Sequence, residues 1–162
     1  PVFDLIDRGD TCITRTFSKA YALAGMRVGW GLFPRAMCDE IWKVVNPGGV
    51  SAVSLAAAEA AMRDQAYMKD IVAKTVALRD PFIDRMNALG MPTAPSHTNF
   101  ALIRFPSVGA AQSADAALRV EGVVMRPMGG YGLPHCLRVT AGLQADMDLA
   151  YDILRDWKAG QA

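Results

Sequence analysis

The run Thr14-Arg15-Thr16-Phe17-Ser18-Lys19-Ala20-Tyr21-Ala22-Leu23-Ala24-Gly25-Met26-Arg27-Val28-Gly29-Trp30 holds one lysine, hydroxyls just before it and an arginine eight residues after it. Those residue types suit a covalently held, phosphate-bearing aldehyde. An amine nucleophile condenses with a carbonyl, while hydroxyl and guanidinium groups hold a phosphate dianion by charge-assisted hydrogen bonds. Lys19 is the candidate amine and Arg27 the candidate clamp. The plain alternative is a solvated lysine at a strand end, with Arg27 paired to a surface acid.

The elements that position these side chains read as strand, loop, strand. Cys12 to Phe17 is β-branched and half alternating, and Arg27 to Phe33 is a second short apolar run. Between them, Ser18 to Gly25 is rich in Ala and Gly, which lets a backbone approach a ligand closely.

The whole string resembles the pyridoxal-phosphate lysine motif of the fold-type I aminotransferases of class I/II. Within them it is most similar to the histidinol-phosphate aminotransferase family, whose pattern is close to T-[LF]-S-K-A-[FY]-x-L-A-G-x-R-x-G. The resemblance continues downstream in the same order through Ser96-His97-Thr98-Asn99-Phe100, Val124-Met125-Arg126-Pro127 and Leu137-Arg138-Val139-Thr140-Ala141-Gly142. It implies an α/β fold of the PLP-dependent transferase type. Residues 1–45 then form the C-terminal part of the large domain, 46–90 the connecting helices and 91–162 the small α/β domain.

The same resemblance implies roles residue by residue. Lys19 matches the Schiff-base lysine, which later serves as base and acid for the proton shift at the substrate α-carbon, a double role that asks for burial and neighbouring cations. Ser18 and Arg27 match ligands of the cofactor phosphate, with Thr16 a third. Arg138 matches the arginine that grips the acidic group of the substrate, and Arg126 is a second candidate for a substrate phosphate. A planar fork of donors suits carboxylate or phosphate. On their own residues, Arg138 in an apolar strand is either edge-exposed or aimed into a polar site, and an arginine before a proline at a strand end is commonly surface charge.

The implied cofactor is pyridoxal 5'-phosphate, with no metal. The implied reaction moves an amino group between a small-molecule amine, histidinol phosphate first, and a 2-oxo acid, in a cytoplasmic homodimer. An aromatic amino-acid aminotransferase and a phospho-amino-acid decarboxylase on the same fold are the alternatives. A third is a non-catalytic packing or dimerisation module. Members of this family are more than twice as long as these 162 residues, so the chain is expected to be the C-terminal half. The other half carries the remaining cofactor ligands, including the acid that keeps the pyridine nitrogen protonated.

Composition excludes other classes. A net charge of +1 gives no electrostatic footprint for nucleic acid or a membrane surface, and the sequence has neither an eighteen-residue apolar stretch nor a signal-like N-terminus. Cys12, Cys38 and Cys136 fall in apolar contexts without CxxC spacing, and an odd count favours buried reduced thiols. His97 and His135 lie beside turn signals rather than in metal-ligand spacing.

Further along, helices are predicted over Arg35–Val45, Ala52–Arg63 behind a Ser51 cap, and Gln65–Leu89, with Pro81 kinking or splitting the last. The expected buried side of that long helix runs through Ile71, Val72, Val76 and Leu78 to Phe82, Ile83 and Met86. Strands are predicted over Phe100–Phe105, Val123–Arg126 and Leu137–Thr140. Between Val120 and the last strand, Met128 to Pro134 is a glycine loop, either a plain turn or a mobile lid. Helices over Gly109–Val120, capped from the Ser107 region, and Met147–Lys158 complete the small domain, the last with Leu149, Ile153, Leu154 and Trp157 inward.

Overall fold

Alternation and capping account for most of the observed elements. A computed structural model describes residues 3–161. The chain divides into two units, Pro1–Val72 and Ala73–Ala162.

In the first unit, β1 (Ile13–Thr16) and β2 (Gly29–Leu32) pair antiparallel, with Ile13 opposite Leu32 and Thr16 opposite Gly29. Gly29 is required there, because a Cβ would stand 2.6 Å from the Arg15 carbonyl oxygen. Of the two strands only Ile13 is buried. A short 3-10 turn over Phe3–Arg8 precedes them. The helix α1 (Arg35–Val44) buries none of its residues, and Trp42 on its apolar side is 74% exposed. Helix α2 (Ala52–Arg63) starts at Ser51, whose hydroxyl accepts from the Ser54 backbone N–H at 3.1 Å, as the cap signal predicts. A small core joins these pieces: Phe17, Val28 and Ala58 are buried, with Tyr21, Leu23 and Ala61 packed against them.

Helix α3 (Gln65–Ala88) is continuous through Pro81 rather than split. Pro81 is exposed, so its ring displaces no packed neighbour. The buried residues are Arg79, Phe82, Ile83 and Met86, whereas Val72 and Val76 are exposed, which corrects the expected apolar stripe in its first half.

The second unit is a three-stranded antiparallel sheet with two helices. β3 (Phe100–Arg104), β4 (Arg126–Pro127) and β5 (Cys136–Thr140) lie in the order β3-β5-β4. Ala101, Ile103, Leu137 and Val139 alternate onto one face and join Phe82, Met86, Leu118, Met125, Met147 and Leu154 in a single core. Helix α4 (Val108–Val120) begins where Ser107 accepts from the Ala110 N–H at 3.1 Å. Helix α5 (Gln144–Ala159) begins three residues earlier than predicted and turns Met147, Ala150 and Leu154 inward. Leu149 is 45% exposed, because it lies about 100° around the helix from Ala150.

Two further expectations are corrected. Val123 to Met125 is not strand; β4 holds only Arg126 and Pro127, after a turn in which the Val123 N–H donates to the Leu118 carbonyl at 2.9 Å. Cys38 and Cys136 are at least partly buried, but Cys12 is exposed, with its thiol 3.0 Å from the Met37 sulfur. All three thiols are free.

Candidate functional site

Thr16 is the last residue of β1, and Ser18, Lys19 and Arg27 lie on the loop that joins β1 to β2. Its ends are tied by the Phe17 N–H to the Val28 carbonyl at 3.2 Å and the Leu23 N–H to the Phe17 carbonyl at 3.0 Å. The Phe17 ring packs on Tyr21 at 4.9 Å between centroids, anchoring the loop to the small core. Between Thr11 and Pro34 stand three cations, Arg15, Lys19 and Arg27, and no acid. The stretch therefore carries positive charge and no carboxylate, which fits an anionic, phosphate-bearing ligand.

The hydroxyl protons can be assigned by counting donors. Thr16 Oγ1 donates to Ser18 Oγ at 2.9 Å and accepts from the Ser18 backbone N–H at 3.0 Å. A hydroxyl has one proton, so Thr16 spends its own on Ser18, and the Ser18 proton is left to donate elsewhere. Lys19 is exposed, and no acceptor bonds its ammonium among the described residues. The burial that its implied role asks for is not supplied by the residues of this unit.

Arg27 sits in the left-handed region at φ 50°, as does Ala22 at φ 57°. A non-glycine residue there is uncommon and costs free energy that neighbouring contacts must offset. Arg27 Nη1 donates to the Ala24 carbonyl at 2.8 Å, closing the turn on itself and leaving its other N–H groups without a bonded acceptor among the described residues. A second support comes from α2, where Ser54, 6% exposed, donates its hydroxyl to the Met26 carbonyl at 2.7 Å. Ser54 has then spent its proton, so the 2.9 Å contact between the Ser51 and Ser54 hydroxyls runs from Ser51 to Ser54. Sequence reasoning assigned Ser51 as a cap but missed Ser54, whose only local signal is a polar residue within an apolar helix.

The other two predicted residues lie in the second unit. Arg126 and Arg138 are directly opposite each other across β4 and β5, and so project from the same face of the sheet. Like charges opposite one another are unfavourable unless an anion lies between or beside them. No carboxylate is bonded to either among the described residues. Both line a cavity of about 390 Å³ that also reaches Thr140 and Asp146. Arg138 is half-buried; its Nε is buried with no hydrogen-bond partner, and its guanidinium carbon stands 4.9 Å from the centroid of the Phe100 ring. Phe100 was missed as a site residue. Register explains its place: Leu102 is opposite Arg138, and Phe100 is the next residue on that face.

The glycine loop is a tight turn. Its 3-10 segment Gly129–Tyr131 ends at Gly132 in the left-handed region, and the Tyr131 and Leu133 N–H groups both donate to the Met128 carbonyl. Met125 and Met128 are buried, as packing residues. Asn99 acts through its backbone, its carbonyl accepting from the Ala141 N–H at 2.9 Å.

The first unit thus holds an antiparallel β-loop-β with an acid-free lysine loop, and the second a small α/β unit. The family model for aminotransferases of class I and II matches residues 2–154, and the chain belongs to that family. The histidinol-phosphate aminotransferase of Rhodospirillum centenum is 41% identical over 158 residues, covering 96% of this chain and 44% of that protein. That of Roseobacter denitrificans is 40% identical over 155 residues, covering 95% and 43%. Among solved structures, histidinol-phosphate aminotransferase from Sinorhizobium meliloti, in complex with pyridoxal-5'-phosphate, superposes with a TM-score of 0.87 at 31% identity, covering all of this chain and 45% of that one. The chain thus spans less than half the length of these relatives and has the α/β fold of the corresponding part of the PLP-dependent transferases.

Proposed function

We propose that this chain is the C-terminal half of a pyridoxal-phosphate-dependent aminotransferase that takes the amino group of histidinol phosphate and passes it to a 2-oxo acid. The observation that carries the reading is the acid-free loop, in which the Lys19 ammonium, the Ser18 hydroxyl proton and the remaining Arg27 N–H groups have no bonded acceptor among the described residues and suit an aldehyde bearing a phosphate. The relatives of about 40% identity favour histidinol phosphate as the amine. A cytoplasmic homodimer is part of the same proposal; no helix among the described residues is long and apolar enough to cross a membrane.

Lys19 would hold the cofactor through its amine, and Ser18 and Arg27, with Thr16 orienting Ser18, would hold its phosphate. When bound, pyridoxal phosphate supplies an electron sink for the charge left on the substrate α-carbon. Once released by the incoming substrate amine, Lys19 Nζ would accept the α-proton as a general base and return it as a general acid. Arg27, already constrained by its bond to Ala24, meets the phosphate with little further ordering cost. Arg138 and Arg126 present two forks to the anionic end of the substrate, and the Phe100 face restrains the Arg138 plane.

The test is to mix the chain with pyridoxal phosphate, reduce with borohydride and locate the pyridoxyl group by mass spectrometry. A group confined to Lys19 and absent from Lys19→Ala supports the reading. An even distribution over Lys43, Lys69, Lys74 and Lys158 overturns it for this chain.

A further inference from the structure

Beside the C-terminal end of α3 the second unit carries another cavity, of about 490 Å³, within the range of small-molecule sites. Its walls are apolar. Met91 and Phe105 are buried, and the Trp157 ring meets Phe105 edge-on at 5.6 Å between centroids, with Ala110 alongside. The Trp157 indole N–H donates to Ser113 Oγ at 3.0 Å, which fixes the ring in place.

Two cations, Arg104 and Lys158, line this cavity, and no carboxylate does. Lys158 is engaged: its ammonium donates to the Leu89 carbonyl at the end of α3, where the helix dipole favours a positive charge. Gly90 makes room for it, in the left-handed region at φ 69°, since a Cβ there would lie 2.9 Å from Lys158 Nζ. Arg104 is different. It is exposed at the end of β3, its backbone N–H donates to the Pro92 carbonyl, and its guanidinium bonds no acceptor among the described residues.

An apolar cavity whose only charges are positive selects a molecule with an apolar body and an anionic end. The free fork of Arg104 matches a carboxylate with two parallel hydrogen bonds. We propose that this cavity is a binding site for a small aromatic carboxylate, its ring against Phe105, Trp157 and Ala110 and its carboxylate on Arg104. The site lies wholly within the second unit and uses neither Lys19 nor the Arg126–Arg138 pair, so it does not depend on the aminotransferase reading.

The probe is 4-phenylbutyrate, titrated into the full chain by calorimetry, with the Trp157 indole N–H resonance as the local reporter. The expected result is saturable one-to-one binding that shifts that resonance. The neutral 4-phenylbutyramide, and Arg104→Gln titrated with the acid, should each bind at least about tenfold more weakly. Ala110→Leu, which fills the cavity, should abolish binding while the thermal midpoint is retained. The proposal is overturned by a lack of saturation with the acid, by equal binding of the amide, or by Arg104→Gln binding like the unaltered chain.

Discussion

Ser54→Ala tests whether α2 holds the Arg27 turn in place. The substitution removes the 2.7 Å bond from Ser54 to the Met26 carbonyl and the acceptor for the Ser51 hydroxyl. Met26 is exposed, so water can rehydrate its carbonyl, and the net loss is about 1 kcal/mol rather than the larger penalty of a stranded buried group. Alanine returns up to about 0.5 kcal/mol in helix propensity, but that gain accrues to α2 and not to the turn. Overall stability should therefore fall by roughly 0.5 kcal/mol, while opening of the turn becomes about fivefold easier. Native-state hydrogen exchange resolves the two, because the Met26 N–H is bonded within the turn to the Leu23 carbonyl and the amides of α2 are not. The Met26 amide should exchange about fivefold faster, with the amides of the second unit unchanged. Unaltered exchange at Met26, or equal acceleration throughout the first unit, would refute the reasoning.

Two more outcomes follow from packing and charge. Leu118→Ala, at a fully buried position, should destabilise the second unit by about 2–5 kcal/mol in denaturant unfolding, read from the Trp157 indole signal. The first unit should keep its midpoint, because the two core clusters share no residue. The Arg85 guanidinium, bonded to Asp148 at 2.5 Å, and then the Gln144 amide, hold the Asp148 carboxyl below the ordinary carboxylate range. Its stabilising contribution is thus present above that range and is lost as the pH falls through the lowered value. Arg85→Gln should move the Asp148 titration in an NMR pH series upward; an unmoved midpoint would show that Arg85 is not the cause.

The grouping of the candidate residues around Lys19 was legible because it is local. Ser18, Lys19 and Arg27 lie on one connection, with Thr16 at the strand end that opens it, and β-branched alternation on one side with glycines on the other brackets them in any fold that pairs β1 with β2. The Ser51 and Ser107 caps were legible for the same reason, since a cap hydroxyl meets an N–H only three residues away. Likewise, the core face of β3 and β5 follows from alternation alone.

What required the folded chain is whatever depends on where it returns. No periodicity places Arg126 opposite Arg138, or Phe100 beneath the guanidinium, because strand register is a relation between segments distant in sequence. Ser54 reaches the Met26 carbonyl 28 residues away for the same reason. The outward Leu149 and the exposed Val72, Val76 and Cys12 show the converse. An apolar residue is buried only where another element comes to cover it. Sequence alone determined which donors share one short stretch; tertiary structure decided which of their protons are already bonded, because each is taken up or left over by neighbours that the fold supplies.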